Sequence, residues 1–202
     1  MKRFFFTTAL FITFFITYAQ KFQNETGNIT VLKGETQVNV AFNYTNLHLM
    51  KDNLTEEEYI ADRIEYLNKK NQEEGDIWLT GWKTAKENIW QPNFLKLLDQ
   101  TITKNKGISF NLNLNNAKYT LLVDVIWIYR GWDAGIVKQP AKVTTTLKIV
   151  ETNNKSNVLY QIEAIEAPGN QFGSNFNDET RIGEGFAKTA KSFGKLMSKK
   201  LR

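Results

Sequence analysis

The sequence predicts a single α+β domain, in which a largely antiparallel sheet of about five to six strands is covered by helices and followed by a long amphipathic C-terminal helix. Most strand-like segments lie together between residues 108 and 165. Helical patterns lie before and after this group, an order that favours α+β over alternating α/β architecture. The chain of 202 residues contains no internal repeat and no Pro/Ser-rich linker, so one hydrophobic core suffices.

The N-terminus has the three parts of a secretory signal peptide, which we place at residues 1–19. Lys2 and Arg3 supply positive charge, residues 4–16 are largely apolar, and Thr17-Tyr18-Ala19 ends the segment with small residues at the positions that a signal peptidase reads. The apolar stretch is shorter than the roughly 20 residues that a membrane span needs. We therefore expect cleavage and export, to the periplasm or to the medium.

The mature chain begins with residues 20–28, which are polar and predicted to be disordered, and continues as one domain over residues 29–202. Residues 29–32 and 36–44, joined at Gly34, are predicted to form a hairpin, because apolar and polar residues alternate along the second arm.

A first helix is predicted after this hairpin, where Thr55 and Glu58 form the spacing of a capping box. A second helix is predicted over residues 77–91, and a third begins at Pro92, whose fixed φ suits the first turn. Four strands follow, and we place them at residues 108–115, 119–129, 143–150 and 158–165.

The last predicted element is a helix over about residues 178–200. Its apolar stripe contains Ile182, Phe186, Ala190, Phe193, Met197 and Leu201. The opposite side is rich in lysine, which is typical both of a solvated face and of a helix that lies on anionic lipid. Gly183, Gly185 and Gly194 favour close packing within the domain.

Composition excludes several kinds of chemistry. The chain has no cysteine and one histidine, His48, so it has no disulfide, no lipidated cysteine and no zinc site of the usual His/Cys type. Gly169 to Gly173 match no phosphate-binding pattern. The net charge of +5 falls further when Lys2 and Arg3 are removed, and it predicts no nucleic-acid partner. We expect no metal, no cofactor and no catalytic residue.

Asp124 is the most unusual polar residue, because it interrupts the apolar segment 119–129. Buried carboxylates are paired or have a raised pKa, and they occur often at functional sites. A structural pair with Lys148, or a hydrogen bond to Thr144 or Thr146, is the simpler interpretation.

The loop that follows this strand is the candidate for recognition. It contains Arg130, Trp132 and Asp133 between Gly131 and Gly135, and Trp and Arg are common in interface hot spots. The alternative is a wide hairpin in which Trp132 folds back onto the sheet.

Three further tryptophans, at positions 78, 82 and 90, lie on helical segments. They are interpreted as core residues rather than as a platform for sugar or peptide, because a tryptophan stripe at helical spacing is more often buried.

Several strings resemble uncharacterised small exported envelope proteins of Gram-negative bacteria. They are Leu32-Lys33-Gly34-Glu35, Val40-Ala41-Phe42-Asn43-Tyr44, Gln91-Pro92-Asn93-Phe94, Ala117-Lys118-Tyr119-Thr120-Leu121 and Ala187-Lys188-Thr189-Ala190-Lys191. The order of elements is more distantly similar to the TolB N-terminal domain and related accessory lipoproteins, from which this chain differs by lacking a cysteine. The resemblance implies an envelope role and carries over no catalytic residue.

The function that the sequence favours is a non-catalytic periplasmic or secreted binding protein that contacts another envelope protein through residues 130–141 and one end of the sheet. One alternative is a carboxylate-dependent hydrolase of envelope glycan or peptide that uses Asp124 with Asp133. Another is a peripheral binder of anionic lipid through the basic C-terminal helix.

Overall fold

The protein is built on a seven-stranded, mostly antiparallel sheet with the strand order β1-β9-β8-β5-β2-β4, and β3 pairs with β5 beside β2. The computed structural model describes residues 20–134, 137–169 and 177–202. Helices pack on one face of this sheet, which gives a single α+β domain of the predicted class. A separate two-stranded sheet joins β6 to β7.

The strands are β1 (Lys21–Gly27), β2 (Gln37–Asn43), β3 (His48–Leu49), β4 (Ser109–Leu112), β5 (Tyr119–Tyr129), β6 (Trp132–Asp133), β7 (Lys138–Gln139), β8 (Ala141–Glu151) and β9 (Asn154–Gly169). The α-helices are α1 (Glu56–Asn68), α2 (Glu74–Ala85), α3 (Gln91–Leu98), α4 (Lys104–Lys106) and α5 (Asp178–Lys200). Two π-helical segments, Lys86–Trp90 and Asp99–Thr103, link α2, α3 and α4 into one continuous helical stretch.

The core lies between the helices and one face of the sheet. On β5, Leu121 and Val123 are fully buried on this face. They belong to the same cluster as Phe94 of α3 and Phe186 of α5. Successive residues of a strand point to opposite faces, so Asp124 and the other polar residues that alternate with them lie on the second face of the sheet.

Helix α5 closes this core and has the predicted bounds, with the Asn177 side chain capping its N-terminus. A Cβ added at Gly185 would lie 2.6 Å from Val143 of β8, and one at Gly194 would meet the Thr101 hydroxyl at 2.0 Å. The glycines therefore allow α5 to approach both the sheet and the neighbouring helical stretch. The apolar stripe of α5 is buried, as the packed interpretation predicted.

The predicted disorder of residues 20–28 is wrong. Lys21–Gly27 form edge strand β1, which pairs antiparallel with β9 from Lys21 opposite Ile165 to Gly27 opposite Tyr160. The partners of β1 lie far along the sequence: its backbone bonds to β9, and Tyr160 donates a hydrogen bond to Glu25 at 2.8 Å. A polar segment gives no local sign of such pairing.

The predicted hairpin over residues 29–44 is also wrong. Ile29–Leu32 form a short 3₁₀-helix, and β2 runs parallel to both of its neighbours, β5 and β4. The alternation along residues 36–44 correctly indicated a strand, but the pattern cannot tell which strand it pairs with.

The first helix has the predicted capping box: Thr55 and Glu58 each accept a hydrogen bond from the other's backbone N–H, the bond to Thr55 measuring 3.2 Å and the bond to Glu58 2.8 Å. The backbone and hydroxyl of Thr55 hold the pKa of Glu58 below its usual value. The predicted signal peptide, residues 1–19, lies outside the described residues.

Candidate functional site

Asp124 is a paired carboxylate in the middle of the sheet. It is 7% exposed. Its Oδ2 accepts a hydrogen bond from Lys148 Nζ on β8 at 2.6 Å, and its Oδ1 accepts one from Asn43 Nδ2 on β2 at 2.9 Å. The ion pair suggested by the sequence is therefore present, and Asp124 ties three strands together.

Asp133, the second acid of the hydrolase alternative, is not on this strand. It lies beyond the end of β5, in the two-stranded sheet, opposite Lys138 in the strand register. Asp124 is held by a lysine and an amide in the main sheet. The geometry gives the two acids no shared site, so that alternative has no structural support.

Trp132 lies on the hairpin formed by β6 and β7, and we call its described residues, 132–134 and 137–139, the recognition hairpin. Its indole Nε1–H donates a hydrogen bond to Gln139 Oε1 at 3.0 Å, and the Tyr129 hydroxyl donates to the same oxygen at 2.9 Å. Trp132 is still 39% exposed, one of the few large apolar residues that are exposed in the described part of the chain. Trp132 is thus fixed in position by Gln139 while much of its ring faces solvent.

Gly131 allows the chain to enter this hairpin. Its φ is +68°, a left-handed conformation, and a Cβ there would lie 2.5 Å from the Gln139 carbonyl oxygen. Only glycine combines this conformation with such a close backbone approach.

A groove of about 480 Å³ borders the recognition hairpin, and we call it the hairpin groove. Its lining residues are Lys21, Lys138, Gln139, Pro140, Lys142, Ile165, Glu166 and Pro168. Lys142 pairs with Glu166 at 2.5 Å. The lining therefore combines an apolar wall with the Lys142–Glu166 ion pair and a further lysine, Lys21.

Two more aromatic residues lie along β5: Trp127 is half-buried and Tyr129 is buried. Trp127 and Tyr129 stack with their ring centroids 6.2 Å apart. The Trp127 indole donates to the Met50 carbonyl at 2.7 Å, which fixes the ring next to β3. The end of the sheet thus carries an ordered aromatic row that reaches Trp132 through Tyr129 and Gln139.

Arg130 contacts the start of α5 rather than Trp132. Its guanidinium forms an ion pair at 3.3 Å with Asp178, the first residue of α5. Arg63 of α1 contacts the same carboxylate at 3.2 Å, and Arg181 does so from one turn further along α5. The structure therefore assigns Arg130 to a second cluster, which sequence reasoning missed because it joins residues distant in the chain.

The other residues considered from sequence are structural. Trp82 and Trp90 are fully buried, and Trp78 packs on Trp82 with their centroids 5.4 Å apart, so the core interpretation of these tryptophans is correct. His48 is exposed, and its Nδ1 lies 3.1 Å from the Asn53 carbonyl.

The basic side of α5 offers only charge to a lipid surface. Lys191, Lys195 and Lys199 are exposed, whereas the apolar stripe is covered by the sheet and by α3. Across residues 20–134, 137–169 and 177–202, no helix is both long and apolar enough to cross a membrane. Nor does this part of the chain bring three or more His, Cys, Asp or Glu residues together in a way that could hold a metal ion.

No protein-family model matches the chain, and no curated protein matches it. Among solved structures, the chain is similar to PelC from Paraburkholderia phytofirmans, described as a dodecamer, with 10% identity and a TM-score of 0.40 over 86% of this chain and 96% of PelC. A point variant of that PelC dodecamer gives 10% identity and a TM-score of 0.38 over 86% of this chain and 99% of the other. Similarity at this level carries no function over to this chain.

Proposed function

We propose that the chain is an exported, non-catalytic binding protein of the cell envelope that contacts another envelope protein through the recognition hairpin and the hairpin groove. The observation that supports this most is Trp132, which is held by Gln139 and remains 39% exposed. A pre-positioned aromatic ring loses little conformational entropy on binding, and tryptophan is enriched among interface hot spots.

The charge of the groove indicates the chemistry of the partner. Lys21 lies beside an apolar wall that includes Ile165, next to the Lys142–Glu166 ion pair. A complementary surface would carry acidic side chains next to an apolar group. Such electrostatic complementarity raises association rates and makes them sensitive to salt.

The test is capture of envelope proteins by the wild-type chain and by Trp132→Ala, with the captured partner purified and its affinity measured. We expect Trp132→Ala to weaken binding by at least tenfold, because hot-spot truncations cost about 2 kcal/mol or more. The melting temperature should stay nearly the same, since the ring is largely outside the core.

Ile77→Ala is the matched control, because Ile77 is also a large exposed side chain, 73% exposed, but lies on α2. Equal affinities of wild type and Trp132→Ala for every captured partner would refute the proposal, as would an equal loss in Ile77→Ala.

Export rests on the signal-like residues 1–19 and on the resemblance to small exported envelope proteins. We expect the product isolated from the native host to begin at Gln20. Intact mass of that product measures this directly, and a product that retains residues 4–16 would contradict it.

A further inference from the structure

A second, smaller cavity lies between helix α1, the segment that follows β3, and Arg130 at the end of β5. It has a volume of about 220 Å³, below the range of pockets for drug-sized ligands, and so suits a molecule of monosaccharide or amino-acid size. We call it the arginine pocket. Its polar lining consists of Tyr59, Tyr66, Arg63, Arg130, Asp52 and Asp62.

The two arginines of the pocket share one buried carboxylate with a third arginine. Asp178, 5% exposed, accepts hydrogen bonds from Arg63, Arg130 and Arg181. Burial raises the pKa of the neighbouring Glu179 above its usual value. One carboxylate is therefore shared by three guanidinium groups, and it leaves guanidinium N–H donors unused beside the cavity.

Three polar groups of this cluster are buried with no hydrogen-bond partner among the described residues. They are the Tyr59 hydroxyl, Arg63 Nε and Arg181 Nη1. Tyr59 itself is 4% exposed. Burial raises the pKa of Tyr59 well above its usual value, so the hydroxyl remains protonated and able to donate. Unmade buried hydrogen bonds are costly and rare, and all three of these groups can be satisfied by an acceptor.

The arginine side chain at the centre of the pocket is held in place before any ligand binds. The Arg63 guanidinium lies 5.6 Å from the Tyr66 ring centroid and 5.9 Å from that of Trp78, in addition to its bond to Asp178. Fixed guanidinium groups are suited to planar oxyanions, since their donors form a rigid fork.

We propose that the arginine pocket binds a small hydroxylated carboxylic acid, with Arg63, Arg130 and the Tyr59 hydroxyl holding its carboxylate. This site is separate from the recognition hairpin and goes beyond the proposed function. Asp52 and Asp62 line the same cavity and supply acceptors for the ligand's hydroxyl groups. Together with Asp178, these carboxylates disfavour a second negative charge, so a monocarboxylate fits better than phosphate.

The test compares glucuronate, glucose and inorganic phosphate as probes of the full chain by titration calorimetry. Glucuronate differs from glucose by a carboxylate in place of a hydroxymethyl group, so we expect glucuronate to bind at least tenfold more tightly. Equal affinity for the two sugars, or no binding of either, would overturn the proposal. Phosphate binding as tight as that of glucuronate would contradict the preference for a single carboxylate.

Tyr59→Phe tests the role of the hydroxyl without emptying the core. We expect glucuronate affinity to fall about tenfold, the value of a hydrogen bond to a charged group. Tyr44→Phe is the matched control, because the Tyr44 hydroxyl is also buried but lies outside the pocket. An equal change of affinity in both variants would refute the assignment.

The unliganded variant gives a second readout. If the Tyr59 hydroxyl lacks a partner, its removal relieves a desolvation penalty, and Tyr59→Phe should melt at a temperature equal to or above that of wild type. Saturating glucuronate should then raise the melting temperature of wild type more than that of the variant. A lower melting temperature of unliganded Tyr59→Phe would mean that the hydroxyl is already satisfied, which contradicts the proposal.

Discussion

Replacing Asp124 with asparagine tests whether this carboxylate stabilises the sheet or performs chemistry. The substitution keeps the shape of the side chain but leaves Lys148 Nζ, now 2.6 Å from Asp124 Oδ2, without an anionic partner. A hydrogen bond to a charged group contributes about 1.5–3 kcal/mol. Because the Lys148 side chain is 26% exposed and keeps some access to water, we expect Asp124→Asn to lower the free energy of unfolding by about 2 kcal/mol.

The assay is urea denaturation, with the double variant Asp124→Asn/Lys148→Met completing a mutant cycle. We expect a coupling energy of about 1–2 kcal/mol between the two residues. The control is Glu65→Gln in the exposed pair of Glu65 with Lys69, which should leave the midpoint unchanged because solvent screens that pair. A loss below about 0.5 kcal/mol for Asp124→Asn, within the range of ordinary surface substitutions, would refute the structural reading.

Three further changes test other parts of the structure. Gly131→Ala should destabilise the chain by about 1–3 kcal/mol, because Gly131 has a φ of +68° and its backbone lies close to the Gln139 carbonyl. Thermal unfolding measures this loss, and an unchanged melting temperature would contradict the close backbone approach at the start of the hairpin. Thr55→Ala should cost about 1 kcal/mol by removing the cap of α1, as measured by urea denaturation, and no loss would mean that the cap is replaced by water. Burial raises the pKa of Glu179, so the folded state binds the carboxyl proton more tightly than the unfolded state does. The folded state therefore loses stability as the pH rises from the ordinary pKa of glutamate through the raised pKa of Glu179. Glu179→Gln should remove that loss, so its stability relative to wild type should be greater at pH 8 than at pH 4. Stability curves of the two proteins that run parallel with pH would contradict this prediction.

The sequence was informative where local patterns decide the structure. The capping box at Thr55, the bounds of α5 and the full extent of β5 follow from residue spacing, because a helix and a buried strand each impose a period on the apolar residues. The glycines of α5 also indicated close packing correctly. Fold class depends mostly on the order of such elements, so it too was predictable.

Pairing between distant segments was not predictable. Strand β1 is polar and is defined only by β9, while the alternation in β2 fits a hairpin as well as the parallel pairing observed. The same limit applies to the candidate site: Trp132 was predicted to be exposed because it follows a central strand, and it is 39% exposed. Arg130 was expected beside Trp132, but its partner Asp178 lies at the start of α5, and no single-sequence signal connects Arg63 and Arg181 to that carboxylate.

Amide hydrogen exchange of the chain, alone and with its purified partner, tests the binding role most directly. If the recognition hairpin and the hairpin groove form the contact surface, binding should slow exchange at residues 129–142 and leave the exposed side of α5 unchanged. Protection confined to α5, with residues 129–142 exchanging as in the free chain, would contradict the account.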